Sequence, residues 1–194
     1  MIRAGFETTD PFTHTRLVVI KGAEETDGRG WVIDVHCPEG APPVVLEHVH
    51  LTWSETFEIL QGVAAYKLGG KEHPINARET VLMPPGVPHV HPWNTGSGMM
   101  VYRQTNDFGE TNPNAVHDVL GVFATINGLA REGRIGHKGL PKNPLQFAAT
   151  LRTLTRYGGF DANVPIPVQR ALSATLGRLA EALGYRGVYP RYLG

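Results

Sequence analysis

Cysteine is almost missing from this chain. A single one, Cys37, stands among 194 residues, so no disulfide can form within the chain and a reducing compartment suits it. Net charge is missing as well, because 18 Lys and Arg balance 18 Asp and Glu. No basic block stands out, which sets aside nucleic acid and anionic membrane surfaces as partners. Long apolar runs are also lacking. Nothing approaches the roughly 18 uninterrupted apolar residues that a membrane span requires, and the opening MIRAGFETTDPFTHT has no apolar signal region. These absences predict a soluble, cytoplasmic protein. The length suits one full domain, or one domain with a substantial appendage, whose core needs no covalent staple.

What is present divides in two by texture. Residues 1–106 read as strands: short runs rich in Val, Ile, Thr and aromatics, punctuated by Gly and Pro. The runs are RLVVIK (16–21), GWVIDVHC (30–37), PVVLEHVHL (43–51), TFEIL (56–60), VAAYKL (63–68), HPINA (73–77), TVLMP (80–84) and MMVYRQT (99–105). Gly69-Gly70 predicts a hairpin turn between two of them. Many short strands at close spacing predict a mainly β sandwich or closed barrel rather than a parallel sheet. Residues 107–194 read as a helical extension of three helices. Val116, Val119, Leu120, Phe123, Ile126 and Leu129 form the stripe of the first, and LQFAATLRTLTRYG (145–158) is the second. The third starts near Pro165 and Pro167 and carries Val168, Leu172, Leu176, Leu179 and Leu183, with Gly184 as its C-cap. These stripes predict packing against the barrel or a second subunit, or a lid over the barrel mouth.

Two constellations carry chemistry. In GAPPVVLEHVHLTWSETFEILQG, His48 and His50 are two apart on a strand and so face one side. Val44 and Leu46 share their parity, which predicts an inward face. Glu55 shares its face with Phe57 and Ile59 and is predicted to point inward too. In PPGVPHVHPWN (84–94), a turn feeds a strand that begins near Val87 and carries His89, with His91 at the same parity. Neutral imidazole and carboxylate are good ligands for first-row divalent metals. A buried carboxylate among apolar neighbours also calls for something to neutralise it. The predicted ligands are His48, His50, Glu55 and His89, around one divalent metal ion per chain, whether Fe, Mn, Ni or Zn.

Together these two motifs resemble those of the cupin family. From His48 to Gly62 the first cupin pattern is matched, with four residues before Glu55 and six after it. The spacer after Gly40 is longer than in that pattern. In the second motif Pro84, Gly86 and His89 match, Arg78 stands where a Gly is usual, and Asn94 falls one residue late. The resemblance covers residues 5–106. It implies a jelly-roll β-barrel with a metal inside and the same four ligands. The tail, from GRIGHKGLPKNPLQ to GYRGVYPRYLG, is similar to that of small cupins without an assigned activity. The family association also implies a homodimer.

Other residues are candidates for the surroundings of the metal. His91 is a wall residue, a proton-handling group or an alternative ligand. Tyr66 can move protons or orient an anion. Trp93, Arg103 and Gln104 are candidates for a substrate pocket. Cys37 reads as a buried, inert thiol. His14, His36, His73, His117 and His137 have no partner pattern. LAEALGYR (179–186) resembles the opening of a helix-turn-helix, but no recognition helix or basic patch follows it. Two functions compete. One is an enzyme using the metal for dioxygenase-like or Lewis-acid isomerase or lyase chemistry on a small organic molecule. The other is a module that binds or senses a small molecule without turnover. Inward polar groups beyond the ligands favour the first, and an apolar interior favours the second.

Overall fold

The computed structural model describes residues 1–136 and 139–193; His137 lies outside the described residues. Eleven strands among them form two antiparallel sheets. The strands are β1 (Glu7–Thr9), β2 (Arg16–Lys21), β3 (Gly30–Cys37), β4 (His48–His50), β5 (Ser54–Gln61), β6 (Val63–Leu68), β7 (Lys71–Asn76), β8 (Thr80–Met83), β9 (His89–Asn94), β10 (Met100–Asp107) and β11 (Gly159–Asp161). One sheet runs β1-β2-β3-β10-β5-β8 and the other β11-β4-β9-β6-β7. The protein is a mainly β jelly roll with a helical C-terminal part. Among the described residues, no helix is long and apolar enough to cross a membrane.

Period-two alternation builds the barrel interior. Glu55, Phe57 and Ile59 are buried on β5, while Thr56, Glu58 and Leu60 between them are more exposed. On β10 the buried set that matters for the interior is Tyr102, Gln104 and Asn106. Trp31, Ile33 and Val35 of β3 oppose them across the ladder. The core is therefore Trp31, Ile33, Phe57, Ile59, Met83 and Tyr102, each less than 2 % exposed. Gly69 and Gly70 both have positive φ, and Leu68 pairs with Lys71 across them. That is the tight hairpin read from the sequence.

Three features differ from the sequence reading. The run 43–51 shortens to β4 alone, because Pro42 and Pro43 lack ladder donors and the segment before His48 is irregular. Leu46 is accordingly exposed and shares no inward face with the histidines. Secondly, β1 and β11 were not read as strands; each is only three residues long. Thirdly, the apolar stripe of the last helix faces outward.

That helix runs as α3 (Ile166–Leu172), a π-helical turn (Ser173–Gly177) and α4 (Arg178–Ala182). It follows α1 (Pro113–Arg131) and α2 (Pro144–Arg156). Both α1 and α2 start with an Asn-Pro pair. The Asn112 and Asn143 side chains accept from first-turn amides, and proline occupies a position whose N–H would have no partner. The last helix buries Gln169, Ser173, Gly177 and Ala180. Small residues allow a close approach to α2: a Cβ on Gly177 would lie 2.9 Å from Arg152 Cβ. With the small face inside, Val168, Leu172, Leu179 and Leu183 are left exposed, and only Leu176 packs partly against Ala148 and Ala149.

Two outcomes follow from this packing. A Cβ on Gly30 would sit 1.9 Å from the Asn106 carbonyl oxygen, a backbone atom that cannot step aside. Gly30→Ala is expected to cost about 1–3 kcal/mol, read as a lower melting temperature; an unchanged melting temperature contradicts this packing. Cys37 is 1 % exposed, and burial pushes its thiol up to about 12. Native protein at neutral pH is expected to resist alkylation by iodoacetamide until denatured, and rapid labelling of the native state contradicts it.

Candidate metal centre

Four strands deliver the site. β4 carries His48 and His50, β9 carries His89 and His91, β5 carries Glu55 and β10 carries Gln104. The β4–β9 pairing sets His48 opposite His89. Only that one pair joins the two strands in register. On its other side β4 pairs with β11 over its full length, Gly159 to His50, Phe160 to Val49 and Asp161 to His48. The C-terminal part thus supplies most of the ladder that holds the HxH strand. Trp53 adds to the same support. Its ring stacks on His50 at 3.3 Å between centroids, and its indole N–H donates to the Tyr157 carbonyl at 2.7 Å.

Four imidazole nitrogens surround one oxygen, Glu55 Oε2. His91 Nε2 lies 2.9 Å from it, His89 Nε2 3.2 Å, His50 Nδ1 3.8 Å and His48 Nε2 4.0 Å. The other carboxylate oxygen, Oε1, accepts from the Gln104 amide. Glu55, His50, His89 and His91 are all buried, and His48 alone reaches the surface. One ligand atom each from His48, Glu55, His89 and His91 lie within 4.8 Å of one another.

The tautomers show what this geometry needs. His48 Nδ1 lies 2.8 Å from the Leu46 carbonyl, and His89 Nδ1 lies 2.9 Å from the Val87 carbonyl. A carbonyl only accepts, so each Nδ1 carries the proton and donates it. Each Nε2 of the neutral ring then has a lone pair facing the site, the arrangement in which a backbone carbonyl orients a metal-bound histidine. These lone pairs are aimed at a carboxylate oxygen, which has only lone pairs itself. A cation between them resolves the conflict.

The charge states fit the same picture. Burial first, then repulsion from His91 and His50, hold His48 well below the ordinary histidine range. Burial brings His50 down to about 3. Burial is the largest influence on the Glu55 carboxyl and pushes it upward; the surrounding imidazoles, His91 and His50 first, act the other way and hold it well below the usual carboxylate range. Neutral His48 and His50 imidazoles beside an ionised carboxylate belong to a donor set suited to a first-row divalent ion.

The structure thus brings together three of the four predicted ligands, His48, Glu55 and His89. Two imidazoles stand at the fourth position. His91, read from the sequence as a wall or proton-handling group, is the imidazole nearest to Glu55. His50, read as a ligand, stacks on Trp53, and its Nδ1 lies 3.8 Å from Glu55 Oε2 with no hydrogen-bond partner. Gln104 belongs to the site. Arg103 lies on the opposite face of β10, forked onto Asp34 at 2.7 and 2.8 Å. Adjacent strand residues cannot share a face, so Gln104 and Arg103 exclude each other from the interior. Tyr66 stacks on His73, and Trp93 is half-buried opposite Ala65. Asn106 went unrecognised, although its two-residue spacing from Gln104 is a signal that could have found it.

Comparisons with known proteins concern the barrel. Residues 35–102 match the family described as Cupin domain. No curated protein matches the chain. Among solved structures, one described as a predicted oxalate decarboxylase from Thermotoga maritima shares 20 % identity, covering 48 % of this chain and 79 % of its own, with a TM-score of 0.43. A cupin-like protein from the same organism shares 18 %, covering 56 % and 80 %, at 0.44. A sugar phosphate isomerase from Silicibacter pomeroyi shares 17 %, covering 48 % and 59 %, at 0.42.

Removing and restoring metal tests the donor set. At one hundred times its Kd, a divalent ion bound only by the folded state adds about 2.7 kcal/mol, which raises the melting temperature by about 5–10 °C over chelator-treated protein. His91→Ala is expected to reduce that rise more than His50→Ala, because His91 is the nearer donor. A melting temperature indifferent to Fe, Mn, Ni and Zn contradicts the site, and a larger effect of His50→Ala returns His50 to the fourth position.

Proposed function

We propose, from the premise that this chain carries a cupin domain over residues 35–102, that it is a metal-dependent enzyme acting on a small organic molecule inside the barrel. The observation that carries this reading is the pair of bare Nε2 atoms, from His48 and His89, turned on a buried carboxylate. His48, Glu55, His89 and His91 would hold the ion. A metal bound there supplies Lewis acidity toward a carbonyl or hydroxyl oxygen, or dioxygen chemistry if it is iron.

The protein's own groups have separate tasks in this reading. Gln104 holds one oxygen of Glu55, which fixes the plane of the carboxylate. His50, which burial keeps neutral, has its unpartnered Nδ1 3.8 Å from Glu55 Oε2 and is a further nitrogen donor beside the ion. Further polar groups have the same unpartnered character. Trp31 Nε1, the Tyr102 hydroxyl and both amide atoms of Asn106 are buried without partners among the described residues. The ladder sets Trp31 opposite Asn106 and Asn106 opposite Glu55, so one row crosses the barrel face from the indole to the carboxylate. An unpartnered buried polar group costs about 1–3 kcal/mol. Several of them next to a metal set favour an interior that handles a polar substrate over one that merely holds an apolar ligand.

Elemental analysis of untagged protein, beside a His48→Ala/His89→Ala double variant, tests the proposal. About one first-row metal per chain is expected in the wild type and none in the variant. Iron directs the next assay to dioxygen consumption; zinc, nickel or manganese directs it to isomerase and lyase substrates. No metal in the wild type, even after anaerobic reloading, overturns the enzyme reading. Stoichiometric metal with ligand binding but no turnover leaves the binding module.

A further inference from the structure

Outside the barrel, α2 and the last helix border an open cavity of about 210 Å³, lined by Arg152, Thr155, Arg156, Arg170, Ser173 and Ala174. We infer that it binds the phosphate group of a small molecule, at a site separate from the metal centre.

Charge is the first observation. Arg152 Nε lies 2.7 Å from Glu181 and an Arg156 Nη 3.1 Å from the same carboxylate. One acid thus serves two guanidiniums. Arg170 has no acidic partner among the described residues, and its guanidinium rests over the Phe160 ring, 5.5 Å from the centroid. Two positive charges are left uncompensated around one small cavity. Guanidinium forks match phosphate oxygens in both geometry and charge.

Organisation is the second. Arg152 is fixed at both ends of its head group, by Glu181 and by the Ser173 carbonyl at 3.1 Å. The Thr155 and Ser173 hydroxyls share a hydrogen bond of 2.9 Å at the cavity wall, and Thr155 Oγ1 also reaches the Arg152 carbonyl at 3.3 Å. Arg156 keeps unused N–H groups, and no hydrogen bond occupies any of those on Arg170 among the described residues. The lining therefore carries three guanidiniums and two hydroxyls and no acid, and the nearby Glu181 is already shared.

The backbone is the third. The π-helical turn starts at Ser173 and includes Ala174, both lining residues. Such turns are rare inside α-helices and recur at functional sites. The Ser173 carbonyl at the start of this turn accepts from Arg152, and the small Ala174 side chain lies at the cavity wall.

The shared chemistry is a phosphate group, supplied either as inorganic phosphate or as a phosphate ester. The test is a titration of full-length protein with sodium phosphate and, separately, with glycerol 3-phosphate, at constant ionic strength with sodium chloride as reference. Amide resonances in ¹H–¹⁵N spectra are the readout. Saturable shifts are expected at Thr155, Ser173 and Ala174. Arg156→Ala/Arg170→Ala should weaken binding about tenfold or more, and Lys71→Ala/Arg78→Ala, which removes the same charge elsewhere, should leave it unchanged. Saturation by the ester alone identifies an ester as the ligand. No saturable shift with either probe, shifts centred on His48–Glu55, or equal weakening in both double variants overturns the inference.

Discussion

Everything around this site is arranged about one buried carboxylate. Glu55 is 2 % exposed, and four imidazole nitrogens stand within 4.0 Å of its Oε2. An ionised group in that position, without a compensating charge, would cost several kcal/mol. Imidazoles that present lone pairs do not provide that charge, and two of these four are committed to that tautomer by backbone carbonyls. The fold holds an unresolved conflict of lone pairs in place, and a divalent cation is the simple agent that turns it into a favourable contact.

The C-terminal part belongs to this arrangement. β4 is only three residues long and has one paired residue on β9, so the barrel alone holds the HxH strand weakly. β11 completes its ladder, the Leu51 amide donates to the Gly158 carbonyl, and Trp53 bridges from His50 to the end of α2. Gly158 lies at the turn between α2 and β11 with positive φ, as a chain reversing at a helix end requires. The helices are thus scaffold for the metal strand, and their small-residue face is spent on packing against each other. That leaves the leucines of the last helix on the outside.

Much of this was legible in the sequence. Short runs rich in Val, Ile, Thr and aromatics placed β3, β5, β6 and β10, and period-two parity turned Glu55 inward. The Gly-Gly hairpin and the start of the third helix also followed from local chemistry, and apolar periodicity located the first two. The HxH, Glu and PxGxxH spacing named His48, Glu55 and His89. Other features depend on contacts that no local pattern encodes. GFD at 159–161 is too short to announce a strand, and it forms one only because β4 offers an open edge. Parity gave His50 and His91 equal claims to the fourth position. The stacking of Trp53 on His50, which separates them, joins the barrel to a helix a hundred residues further on. The leucine stripe of the last helix does not pack on the barrel, because Gly177 and Ala180 on the other face permit the closer approach.

The most direct measurement of the central claim is anomalous diffraction from crystals of the metal-loaded protein, collected at the absorption edge of the bound ion. The account predicts one strong peak per chain, at roughly 2.0–2.2 Å from His48 Nε2, His89 Nε2 and a Glu55 oxygen, with His91 completing the set. A bound metal whose peak lies away from Glu55, or a Glu55 cluster that keeps its geometry while no metal enters it, would contradict it.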